Sequence, residues 1–166
     1  MWEKETIPDP DKLYFFIHIH AMRYDKEGNN PFVPESSLTN TPDSGPNKSS
    51  DWSKYHRPED TRFLRGEEYK FGQKIFKKPD EYFIYSTLVS DWRSIDQQHG
   101  KQSVEHDPIY NDPIPIGTPN NRAHSIIIGN KDDLKLRTII ARSIKWEIAP
   151  PDTKIECKEY KKTLGL

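Results

Sequence analysis

Two histidines, His18 and His20, flank Ile19 inside the apolar, aromatic run LYFFIHIHAMRYD, residues 13–25. Side chains two apart in a strand point to the same face, so both imidazoles can converge on one ion. Imidazole nitrogen suits zinc, copper, iron or nickel. Asp25 follows five residues after His20, and His124 opens another strand-like run. His18, His20 and His124 therefore make up the metal or acid–base site of a prospective enzyme. The blander reading has His18 and His20 on the less apolar face of a strand, bonded locally, and it is favoured because such pairs are common. Glu105-His106-Asp107, with His99 nearby, could orient an imidazole as a general base. Neighbours in sequence rarely face each other, however, and the segment is rich in proline, so a solvated loop is expected there.

Two histidines from one strand, an acid soon after and a distant histidine superficially resemble the cupin arrangement. No glycine precedes His18 at the usual place, Asp25 stands where that family has glutamate, and His124 lies too far along the chain. Membership is therefore not assigned. Lys135 and Arg137 would share one strand face. Arg62 and Arg65 add positive charge near Phe63, Tyr69 and Phe71, which is the composition of a base-stacking platform in a small nuclease or toxin-like domain. The wet face of a half-buried sheet accounts for the same charges. Gly-rich phosphate loops, Gly-x-Ser-x-Gly, Cys-x-x-Cys and His-Glu-x-x-His are all absent.

The 166 residues suffice for one domain with a real core. A hydrophobic content of 33% against 31% charged keeps that core small relative to its loops, while 11% aromatics argues against disorder. The net charge of −1 provides no global field toward nucleic acid or an anionic membrane, so nucleic acid is not an expected partner. Cys157 is the only cysteine, so no internal disulfide forms, and it has no base visible in the sequence to activate it. The first residues are acidic and proline-rich where a signal peptide is basic and then apolar. The first apolar run is too short to span a bilayer. These points lead to an expectation of a cytoplasmic protein, or one exported without a cleaved signal peptide.

The elements that would position these groups look mostly like strands. Leu134 to Ile148 alternates apolar and polar residues and is rich in β-branched side chains, which predicts one long strand. Ile139 and Arg142 break the pattern. A helix competes, because Leu136, Ile140, Ile144 and Ile148 recur every four residues behind a cap at Asp132. Residues 13–25 predict an interior strand. Residues 68–76 and 81–92 predict a hairpin through the Lys77–Asp80 turn, and 124–128 with 134–148 predict a second one. Thr153 to Tyr160 predicts a charged edge strand. Proline-rich stretches make long loops of about 26–60 and 93–122.

The pattern predicts an all-β fold, a single-domain antiparallel β-sandwich or barrel with long irregular loops. A β-rich α+β fold with a helix at 134–148 is the alternative. The leading functional expectation is a non-catalytic binding or assembly module, with no cofactor unless the histidines hold a transition metal. Its long loops and sheet edges would contact a protein, another copy of itself or a glycan. Trp52, Tyr55 and Tyr110 would serve as loop anchors.

Overall fold

The computed structural model describes residues 1–40, 47–64, 67–70, 73–76, 78–111 and 119–166, with backbone alone for 67–70 and 73–76. In chain order the strands are β1 Lys12–His18, β2 Asn47–Trp52, β3 Glu67–Lys70, β4 Gln73–Phe76, β5 Tyr82–Leu88, β6 Ser103–His106, β7 His124–Ile128 and β8 Lys145–Ile148. The helices are α1 Pro58–Leu64, α2 Val89–Arg93, α3 Leu134–Ser143 and α4 Lys154–Thr163. Six strands form one antiparallel sheet in the order β6-β7-β2-β1-β5-β8, and β3 and β4 pair in a separate ribbon. The antiparallel sheet is as expected. The helices make the α+β alternative a better description than an all-β sandwich or barrel.

Alternation along β1 builds the core. Leu13, Phe15 and Ile17 face one side and meet Thr87, Tyr85 and Phe83 across β5. Phe15 stacks on Tyr85 with ring centroids 5.1 Å apart. Val89 and Trp92 of α2, Leu136 and Ile140 of α3 and Cys157 of α4 complete the same cluster. Each fully buried Leu, Ile or Phe contributes roughly 1.5–3 kcal/mol of transfer free energy.

The 134–148 run holds two elements. Asp133, one residue after the expected cap, accepts a hydrogen bond from Leu136 N at 3.1 Å and starts α3. Leu136 and Ile140, four apart, are fully buried, so the helical stripe prevails over β-branching as far as Ser143. Trp146 and Ile148 belong to β8, which pairs with β5 rather than with β7. β7 instead lies between β2 and β6.

Other expectations are corrected as well. The run beginning at Leu13 leaves the sheet after His18 and turns. Residues 68–76 do not pair with 81–92: Glu67 pairs with Phe76 and Lys70 with Gln73, while β5 enters the large sheet. Thr153 to Tyr160 is helical. Thr153 Oγ1 accepts from Glu156 N, and Glu156 Oε2 accepts from Thr153 N, a reciprocal cap that fixes the start of α4. The 26–60 stretch contains β2, a central strand, and the 93–122 stretch contains β6. The parts of those loops at 41–46 and 112–118, Arg65 and the side chains of Tyr69, Phe71 and Ile75 lie outside the described residues. No helix among the described residues is long and apolar enough to cross a membrane.

Candidate functional site

The strand that was to present His18 and His20 together ends at His18. His18 Nε2 lies 2.9 Å from Glu81 Oε2, and its Nδ1 accepts the His20 main-chain N–H at 3.2 Å. Both nitrogens of His18 are thus engaged, and the His20 ring packs beside it, tilted by 46° with centroids 5.0 Å apart. His124 sits on β7 opposite Asp51, which pairs on its other side with Tyr14. That register puts His124 two strands across and four residues along from His18, roughly 10 Å by 13 Å. The three rings do not converge, and no group of three His, Cys, Asp or Glu among the described residues could hold a metal ion. Asp25 closes a turn, accepting from Asn29 N and Asn30 Nδ2. Those donors, the Asn29 amide first, hold its carboxyl below the usual range.

Trp52 is a core residue, 1% exposed, whose Nε1 donates to Asp11 Oδ2 at 2.7 Å, so it is not a loop anchor. Tyr55 is half-buried. Its ring stacks on His106, the Arg122 guanidinium lies 4.2 Å from its centroid, and its hydroxyl donates to Glu5. Tyr110 is exposed and packs edge-on against Trp2. His106 belongs to β6 and is buried rather than sitting in a solvated loop. Its Nε2 donates to the Arg122 carbonyl and its Nδ1 accepts from Glu5 N. His99 faces Asp133 at 3.3 Å.

The feature the sequence did not reveal is a cleft between the 19–25 segment and α4, with a volume of about 430 Å³. Its floor is Ile19, Met22, Tyr24 and Cys157, and its rim carries His20, Arg23, Asp25, Lys154, Lys158 and Lys161. The reciprocal cap at Thr153 sets the rotation of α4. Cys157 then points inward, and Lys154, Lys158 and Lys161, spaced by four and three, share the neighbouring face. The Lys154 N–H donates to the Gly28 carbonyl and ties the helix start to the turn after Asp25.

Arg23 Nη1 donates to the carbonyls of His20, Ala21 and Met22, so its guanidinium braces the turn and places a positive charge at the mouth. Tyr24 donates to the Pro151 carbonyl at 2.7 Å, and burial pushes its phenol pKa up, so it stays neutral. Among the described residues, no carboxylate pairs with the ammonium groups of Lys154, Lys158 or Lys161. Apolar floor, cationic rim and a half-open cleft together suit an anion attached to an apolar body. A lysine stripe at helical spacing was the one signal available in the sequence, but such stripes ordinarily mark a solvated face.

Comparison with known proteins returns no match, whether to family models, to curated proteins or to solved structures.

Proposed function

We propose that the protein is a binding module that holds a small anionic ligand, a phosphate ester or carboxylate on an apolar body, in the cleft beside α4. The observation that carries this reading is the concentration of charge. Arg23, Lys154, Lys158 and Lys161 face one cleft, with His20 beside them, in a chain whose net charge is −1. The single acid there, Asp25, is already occupied by the amides of its own turn. Lysine and arginine form charge-assisted hydrogen bonds to phosphate and carboxylate oxygens, and the Ile19, Met22 and Cys157 floor would take the apolar part.

A protein partner, a second copy or a glycan at the loops and sheet edges, the reading expected from sequence, has less behind it. The edge strands β6 and β8 are four residues each, and short edges resist strand addition.

The test is calorimetric titration with phenyl phosphate at low and physiological salt, for the wild type and K158Q/K161Q. Wild type should bind, more weakly as salt rises, and the variant should lose at least ~10-fold in affinity. No binding at millimolar phenyl phosphate, or equal binding by the variant, refutes the reading.

A further inference from the structure

The sheet carries a second cluster, on the face that Tyr14 and Asp51 share. The register Asn47↔Ile128 through Asp51↔His124 and the alternation of strand side chains put Ser49, Asp51 and His124 on that one face. Ser49 Oγ lies 3.3 Å from His124 Nε2, and His124 Nδ1 lies 2.6 Å from the main-chain oxygen of Asp107. A carbonyl oxygen can only accept, so Nδ1 carries the ring proton. That leaves the Nε2 lone pair facing the Ser49 hydroxyl, the tautomer a base needs.

One carboxylate stands by to stabilise an imidazolium. Asp107 Oδ2 is 3.9 Å from Nδ1, while its Oδ1 pairs with Lys4 at 2.8 Å. Asp51, the cross-strand neighbour of His124, is turned to other partners, its Oδ1 to the Asn121 amide at 2.7 Å and its Oδ2 to His56 Nδ1 at 3.5 Å. Ser49 and His124 both keep part of their surface open to solvent. A hydroxyl within reach of an imidazole whose far side is held by a third group is the arrangement nucleophilic catalysis requires.

We propose that Ser49 and His124 form a nucleophile–base pair that accepts the acyl group of an activated ester. As the Ser49 Oγ–carbon bond forms, the hydroxyl proton passes to His124 Nε2. The imidazolium returns that proton to the leaving oxygen as the ester C–O bond breaks. Water then adds to the acyl-serine as His124 Nε2 takes its proton, and the imidazolium returns that proton to Ser49 Oγ as the acyl C–O bond breaks, which releases the carboxylic acid and restores the serine. This activity goes beyond ligand binding and does not depend on the cleft.

The test uses the full chain with diisopropyl fluorophosphate, which a serine attacks at phosphorus with loss of fluoride, and with p-nitrophenyl acetate. Intact mass should show one adduct per wild-type chain, mapped to Ser49 by peptide analysis. The adduct should be absent in S49A and form at least ~10-fold more slowly in H124Q. Release of p-nitrophenol should exceed the S49A background. No adduct on folded wild type, an adduct that persists in S49A, or an unchanged rate in H124Q overturns the proposal.

Discussion

Replacing Lys48 with methionine should stabilise the protein at neutral pH. Lys48 lies on β2 opposite Ile127, and its ammonium sits 5.4 Å above the Phe15 ring and donates to the Ser37 carbonyl at 3.1 Å. Burial pushes its pKa down from 10.5 to about 8. Below pH 8 the group is charged both folded and unfolded, and the whole penalty is present. Between 8 and 10.5 the unfolded chain keeps a proton the folded chain has released, so stability rises with pH.

At ~1.36 kcal/mol per pH unit the penalty is about 3 kcal/mol. Methionine of similar length removes it, at a cost of about 1 kcal/mol for the carbonyl that loses its donor. K48M should therefore gain about 2 kcal/mol at pH 7, seen as a higher urea midpoint by tryptophan fluorescence. Lys131, likewise held at about 8 by burial and by the Lys48 charge, keeps titrating, so the variant's rise between about pH 7.5 and 9.5 should be roughly halved. Buried Tyr14 and Tyr85, whose phenols are pushed up, oppose the rise only above pH 10. A K48M protein less stable than wild type at pH 7, or one with an unchanged pH slope, refutes the reasoning.

Lys131→Met should have the opposite effect and cost about 2–4 kcal/mol in urea denaturation, despite the similar pKa. Its ammonium donates to the Ile127 and Gly129 carbonyls at 2.9 Å each and to Asn40 Oδ1, acceptors that methionine would strand. Thr153→Ala removes one half of the reciprocal cap on α4 and should cost about 1 kcal/mol in thermal or chemical unfolding. The same variant should weaken phenyl phosphate binding, because the cap sets the face on which the cleft lysines stand.

Strands buried by their own side chains were legible in the sequence. β1 and β5 announce themselves by aromatic and β-branched runs, and β7 was expected over the residues it occupies. β2 was not, because Asn47 to Asp51 offers no apolar alternation. Its buried polar groups find partners far along the chain, as when Asn121 donates to Asp51 Oδ1. The 134–148 run superimposed two periods, and its helical half was decided by Leu136 and Ile140 meeting the core. α4 carried a readable signal, threonine three residues before glutamate after two prolines, which the charged composition masked. Of the two sites, His20 and His124 were singled out from sequence, but their partners were not. The lysines that complete the cleft lie more than a hundred residues from His20, and Ser49 lies in a stretch that looked like loop.

The strand order also has a kinetic consequence. Among the described residues no ladder of the large sheet is a tight hairpin: even the nearest paired strand residues, His106 and Ser125, are roughly twenty positions apart, and β1 must wait for β5, some sixty residues on. Long segments must be closed, at full entropic cost, before any of these ladders forms. Such a topology folds on the millisecond-to-second scale and leaves half-built edges open meanwhile. The chain's abundant charge then acts before the native state exists, keeping those unpaired strands from finding one another.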